Sequence, residues 1–291
     1  MVAYVLGNYF VDNGLLTRGQ LQTVMSKQDK VKVQLGTIAV SEGLMTQAQA
    51  DAVNNLQAAV DKRFGDIAVD KEFLTPRQVS SLLKEQGNEY LIFMQTVLDD
   101  NLMTSIQFET AVKQFQKETG VTTSRLEAMK SDSIHEIVSA YILPDMDQHS
   151  QMVSVMARMM VRLVDRHAYI GKAYQQDDIS LNSGIFQVIV GKEPLEDGFL
   201  EVDNGIVALA SGFAKEPCDD NDELAKDAAG EFLNCINGLY ITSLSKENIN
   251  KELQPQEFVF DSVPAKDVSG RRIFHVPVFI SNGSFEYVII E

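Results

Sequence analysis

The 291-residue sequence has only two cysteines, Cys218 and Cys235. Two thiols cannot form the disulfide framework of a small secreted scaffold, and these two lack the paired spacing of a zinc site. They read as reduced, structural thiols. Histidine is scarce too: His135, His149, His167 and His275 are scattered, with no two at i, i+3 or i, i+4. A histidine metal site is therefore not expected. No apolar run reaches the ~18 residues that a membrane span needs. The opening Met1-Val2-Ala3-Tyr4 lacks the basic-then-apolar pattern of a signal peptide. A cytoplasmic chain without membrane insertion is the expectation. Positive charge is in deficit, with 25 Lys+Arg against 41 Asp+Glu and a net charge of −16.

That deficit is uneven. Residues 1–125 hold 12 basic and 14 acidic side chains, whereas residues 126–291 hold 13 and 27. The shift marks a boundary near residue 125. The acidic part should repel nucleic acid and anionic membrane. It suits a basic protein partner, or serves only solubility. With 45% hydrophobic residues, the chain is globular and long enough for two domains, each with its own core.

The first domain is written in repeats. Leu6-Gly7 recurs as Leu35-Gly36 and Phe64-Gly65, with a fourth copy at Phe93-Met94, always 29 residues on. In the same register stand Thr17/Gln20, Thr46/Gln49, Thr75/Gln78 and Thr104/Gln107. Thr-x-x-Gln is a capping box: the hydroxyl accepts from an orphan amide in the first turn, and the glutamine reaches back to the threonine amide. Pro76 stands at the first helical position, where its missing N–H is harmless. Turn residues precede each box, and apolar residues at helical spacing follow, as in Leu21/Met25, Val79/Leu83 and Phe108/Val112. Gln28, Gln57 and Gln86 close three of the copies. Each unit predicts a short helix, a turn and a capped helix, which stacked neighbours can bury.

Over residues 4–117 this pattern resembles the MshE-type N-terminal domain of type II secretion and type IV pilus assembly ATPases. In some members of that family, two successive motifs bind cyclic di-GMP. The resemblance implies contacts from Leu6, Gly7, Gln28, Leu35, Gly36 and Gln57, with the glycines admitting the nucleotide to the backbone. The family's leading arginine, which would pair with phosphate, is Val5, Gln34 and Ile92 in three copies and survives as Arg63 in the third. A helical scaffold or docking module without nucleotide is the alternative. The near-neutral charge of the repeats argues against DNA.

After a polar stretch at 117–133, expected to be a linker, comes an apolar helical run at 151–164. Its face of Met152, Met156, Met159 and Leu163 reads as core. Strands are expected at 185–190, 198–202, 258–263, 273–280 and 285–290, with a turn at Asn282-Gly283. Helices are expected at 204–214 and 222–237. Interleaved strands and helices give an α/β or α+β domain. On the second helix Glu231 and Asn234 are three apart and share a face; Gly238 would end that helix or mark close packing. A carboxamide can hold a water while a neighbouring acid clamps a cation. Glu201/Asn204 and Glu247/Asn250 have the same spacing, but one straddles a strand end and the other lies in a polar segment.

The wider pattern Asp227-Ala228-x-Gly230-Glu231-x-x-Asn234-x-Ile236-x-Gly238 resembles the signature helix of the CheX/CheC/FliY chemotaxis phosphatases. The resemblance covers residues 131–291, taking in the 198–217 segment, Val263-Pro264 and the closing hairpin, and its single copy of the pair is more like CheX than CheC. It implies hydrolysis of the aspartyl phosphate of a CheY-like response regulator. Asn234 would orient the attacking water, and Glu231 would bind the regulator's active-site lysine. Mg²⁺ would sit on the regulator, the chain needing no cofactor of its own. A homodimer through this domain is also implied. The expectation is thus α+β overall: an all-α array of four 29-residue repeats over residues 1–120, regulatory or docking in role, and a CheX-like α/β sandwich domain over 131–291. The alternatives are a non-enzymatic adaptor binding cyclic di-GMP or a pilus or secretion ATPase, and a dimerising scaffold.

Overall fold

The computed structural model describes residues 1–28, 33–59, 62–131, 133–176, 180–181, 183–219, 223–260 and 266–291. They form two compact units, Val2–Ser133 and Ile134–Glu291, α+β taken together.

The first unit is helical. Each repeat supplies two helices: α1 (Val2–Asp12) and α2 (Arg18–Lys27), α3 (Leu35–Ser41) and α4 (Gln47–Ala59), α5 (Phe64–Asp70) and α6 (Pro76–Lys84), α7 (Glu89–Asp99) and α8 (Ser105–Thr119). All four capping boxes form. The Gln20, Gln49, Gln78 and Gln107 amides donate to the threonine hydroxyls at 3.2–3.3 Å. The threonine amides donate to the glutamine Oε1 atoms at 2.7–2.8 Å. The turn before each box passes through the left-handed region at Gly14, Gly43, Glu72 and Asn101, with φ from +54° to +67°. Glycine adopts that conformation freely, asparagine tolerates it, and glutamate does so at some cost.

The repeated glycine has a packing reason. A Cβ on Gly7 would lie 2.3 Å from Leu21 Cδ1, and one on Gly65 2.7 Å from Val79 Cγ1. On Gly36 it would meet the Phe64 ring at 3.0 Å. The first helix of a unit thus lies directly against side chains of its own second helix at Gly7 and Gly65, and of the next unit at Gly36. The copies do not run as an open stack, because the first and the fourth share a core. The Phe10 ring meets Phe108 at 5.4 Å and 90°, and Phe93 at 5.9 Å, while Lys27 pairs with Asp100 at 2.7 Å. The stretch expected to be a linker is mostly helical. Gly120 (φ +71°) ends α8, and Thr122 caps α9 (Thr123–Lys130), which is anchored by buried Leu126 and Met129. Polar neighbours hide this two-residue anchor in the sequence.

The second unit opens with α10 (Ile134–Tyr141) and α11 (Ser150–Met159), the latter running into a π turn at Met160–Val164. Met152 and Met156 are core, while Met159 and Leu163 are partly exposed. The strands are β1 (Tyr169–Ile170), β2 (Tyr174–Gln175), β3 (Ser180–Leu181), β4 (Gly184–Val190), β5 (Leu195–Val202), β6 (Glu252–Leu253), β7 (Glu257–Val259), β8 (Lys266–Asp267), β9 (Ile273–Ile280) and β10 (Gly283–Ile290). The main sheet is antiparallel in the order β1-β9-β10-β5-β4-β6, with β2 also on β9 and β7 on β4; β3 pairs β8 separately. Helices α12 (Gly205–Ala214) and α13 (Glu223–Ser245) pack together, and α13 lies against the sheet. Phe199 stacks on Phe232 at 6.0 Å and meets Phe285 at 5.1 Å.

Several expectations are corrected. Helix α13 continues eight residues beyond Asn237, because Tyr240 and Leu244 extend its buried stripe. It closes where Asn248 takes φ +62° and the Ile249 amide reaches the Leu244 carbonyl. Gly238 is therefore neither a helix end nor a close contact; nothing lies within 4 Å of where its Cβ would be. The β9–β10 turn is Ser281-Asn282, since Gly283 already pairs with Ile280. Asp165 holds it by accepting from the Ser281 amide at 2.6 Å and hydroxyl at 2.7 Å. The strand expected at 258–263 runs over Glu257–Val259; Val263-Pro264 and the expected helix start at Asp222 lie outside the described residues.

Two substitutions test the repeat grammar. Thr104→Ala should lower unfolding stability by about 1 kcal/mol through loss of a cap. Glu72→Gly should raise it by roughly 0.5 kcal/mol by relieving left-handed strain, net of added chain entropy. Urea midpoints of the full chain measure both, and a loss for Glu72→Gly would contradict the backbone reading.

Candidate functional site

Helix α13 contains no proline, and Ala225, Ala228 and Ala229 are strong helix formers in its first turns. One face buries Ala225, Ala229, Phe232, Leu233, Ile236, Tyr240 and Leu244. The opposite face carries Glu231, which is exposed, and Asn234, which is half-buried. The sequence placed both on one helical face, and the structure keeps them there.

Gly230 sits between the two faces. A Cβ there would lie 2.8 Å from Phe258 Cζ, and the Gly230 carbonyl accepts from Gln256 Nε2 at 3.2 Å. The Asp-Ala-x-Gly pattern thus has a local cause: the chain at 254–258 crosses the helix where only glycine leaves room. Lys226 Nζ, one turn earlier, stands 4.8 Å from the Phe260 ring centroid. Among the described residues Glu231 makes no hydrogen bond or ion pair, so its carboxylate is available to a cation from outside.

Asn234 is held from behind. Its Oδ1 accepts from Gln187 Nε2 at 3.1 Å. Gln187 lies on β4 with its own cross-strand partner, Asp197, on β5, and both face α13. Gln187 Nε2 also donates to the Gln254 carbonyl at 2.9 Å. Gln187 Oε1 accepts from Asn237 Nδ2 at 3.0 Å, and Asn237 Nδ2 donates again to Asp197 Oδ1 at 2.7 Å. Asp197 Oδ2 accepts from the Tyr287 hydroxyl at 2.7 Å. Gln187, Asn237, Asp197 and Tyr287 are all buried. Sequence reasoning missed this row. Its signal is a polar residue inside an apolar run: Gln187 within 184–190, Asp197 within 195–200, and Asn237 in the buried stripe of α13.

The three spaced pairs now separate. The Glu201 carboxylate accepts from the Gly205 and Ile206 amides at 2.6 and 3.1 Å, binding the start of α12. Asn204 stands in the left-handed turn between them. Glu247 and Asn250 lie exposed beyond the end of α13. Only Glu231/Asn234 remains on an open helical face.

The six repeat-domain residues are differently placed. Leu6, Gly7 and Gly36 are buried, and the space beside each glycine is filled by Leu21 or Phe64. Gln28 is buried too, its Nε2 lying 3.5 Å from Met25 Sδ. Leu35 is half-buried beside Gly65, and Gln57 is exposed.

Against known proteins, no family model matches the chain and no curated protein does. Among solved structures, the chain is similar to a CheC-like superfamily protein from Shewanella sp. PV-4, at 14% identity over 48% of this chain and 94% of that one, with a TM-score of 0.42. The chemotaxis protein CheX from Desulfovibrio desulfuricans is similar at 15% identity over 49% and 98%, TM-score 0.42. A CheX–CheY–BeF₃–Mg²⁺ complex from Borrelia burgdorferi is similar at 18% identity over 50% and 96%, TM-score 0.40. The matched half is the C-terminal region.

Burial pushes the Asp197 carboxyl up to about 7, outweighing the lowering effect of its hydrogen bonds to Tyr287 and Asn237. Tyr287 can donate or accept, so a proton on Oδ2 leaves the bond to Asn237 undisturbed. An unfolded aspartate titrates near ~3.9. Between these values the folded protein keeps a proton that the unfolded chain has shed. The stability contributed by this group is therefore complete below about pH 4 and lost as pH rises through about 7. The gap corresponds to roughly 4 kcal/mol. Urea unfolding at about pH 5 and about pH 8 should show the wild type losing more stability than Asp197→Asn; equal losses would refute the assignment.

Proposed function

We propose that the C-terminal unit is a phosphatase that hydrolyses the aspartyl phosphate of a CheY-like response regulator, with the repeat unit as its regulatory or docking module. The observation that carries this reading is the Glu231/Asn234 pair on the open face of α13, its carboxylate unpaired among the described residues and its carboxamide fixed by Gln187. The signature pattern around the pair supports the same chemistry.

In this reading Glu231 receives the ammonium of the regulator's active-site lysine. The pairing sets α13 over the phosphoryl group, and Asn234 enters beside it. Asn234 holds a water in line with phosphorus. Water oxygen bonds to phosphorus as the bond from phosphorus to the aspartyl oxygen breaks. The carboxylate leaves with that electron pair, and the water's protons pass to the departing phosphate and to solvent. Phosphoryl transfer asks little covalent help of a catalyst, so positioning is sufficient. Mg²⁺ belongs to the regulator in this scheme.

Rates of regulator dephosphorylation test the assignment. Asn234→Ala should slow the accelerated rate about 100-fold with little change in the half-saturating regulator concentration. Glu231→Ala should raise that concentration about tenfold, the loss expected for one charge-assisted bond. If the wild type speeds no regulator beyond its Asn234→Ala variant, the phosphatase reading falls.

A further inference from the structure

The two ends of a carboxamide have nearly the same shape and opposite hydrogen-bonding character. Which end of Asn234 faces outward is decided by what stands behind it. Gln187 Nε2 is committed to two acceptors, Asn234 Oδ1 at 3.1 Å and the Gln254 carbonyl at 2.9 Å. A main-chain carbonyl cannot donate, so the glutamine cannot be reversed without setting oxygen against oxygen. Its Oε1 faces Asn237 Nδ2, which also donates to Asp197 Oδ1. Asp197 is fully buried and fixed from the other side by Tyr287. Asn237 Nδ2 thus donates both inward to Asp197 and outward to Gln187, and from there each amide donates towards the surface, ending on the Asn234 oxygen. The alignment leaves Asn237 Oδ1 buried without a hydrogen-bond partner. A network serving the fold alone would be expected to satisfy that atom.

We propose that Gln187 is a positioning residue: it draws the Asn234 oxygen inward and so presents the Asn234 amide nitrogen outward as a donor. This rests on the phosphatase reading and specifies its geometry. A donor at that place holds one lone pair of the attacking water and leaves the other aimed at phosphorus. Glu231 is not part of the row, so docking and water orientation are separable functions of one helix. Asn237 passes the alignment of Asp197 on to Gln187.

The test uses the full chain and a receiver domain phosphorylated with acetyl phosphate. Gln187→Met keeps the volume and removes both hydrogen-bonding ends; Gln187→Glu keeps the shape and removes the donor. Each should lower the dephosphorylation rate at saturating receiver by about 10- to 100-fold, the range expected for a misplaced reactive group, with the half-saturating concentration unchanged. Combining Gln187→Met with Asn234→Ala should be no worse than Asn234→Ala alone, because both act through one amide. A folded Gln187 variant with the wild-type rate, or a double variant whose losses multiply, would overturn the proposal. A side-chain amide NMR spectrum gives a readout independent of activity. The Asn234 NH₂ resonances, identified by their loss in Asn234→Ala, should move in both Gln187 variants. Unmoved resonances would overturn the positioning even if no receiver is a substrate, and moved resonances with an inactive wild type would place the fault in the phosphatase reading alone.

Discussion

A carboxyl group with no exposed surface stands at the middle of the C-terminal sheet, and much else there is arranged around it. Asp197 could not remain buried without donors, and Tyr287 and Asn237 supply them from the next strand and from the covering helix. Asn237 must then sit on the inner face of α13, which fixes the rotation of that helix about its axis. With the rotation fixed, Glu231 and Asn234 have no choice but to face outward. The buried acid thus sets the exposed pair, and Gln187, its cross-strand neighbour, joins the two.

This dependence explains which parts were legible in the sequence. The repeats were, because Thr-x-x-Gln is a local device whose partners lie three residues apart and whose copies confirm one another. The strands at 273–280 and 185–190 were, because each is apolar but for a single polar residue, His275 or Gln187. Helix α9 was not, since its anchor is only Leu126 and Met129 among polar residues. The short strands β1, β2 and β6, two residues each, have no periodicity to read and form because a neighbouring edge is available. Glu231 and Asn234 were visible through spacing and flanking pattern. The row behind them was not, because strand register puts Gln187 opposite Asp197 and tertiary packing puts Asn237 above both. Its residues are 187, 197 and 237, far apart in the chain and unremarkable singly.

The glycines show a related division. The sequence marks Gly7, Gly36 and Gly65 as special, but a conformational need and a space requirement look alike on paper. The structure separates them: helices meet at these three, whereas Gly14 and Gly43 have left-handed backbone and open space around them. Gly230 belongs with the first group: it admits the Phe258 ring, and it stands next to Glu231 in the chain.

The shared core of Phe10, Phe93 and Phe108 gives the repeat unit a property that open arrays lack. A solenoid can gain or lose a module at either end and remain the same kind of object. Here the first and last modules are each other's partners, so the count of four is part of the structure. Shortening the gene by 29 codons at either end would not trim the array; it would strip one side from the shared aromatic core and uncover the other. Such a unit can vary its loops far more easily than its length.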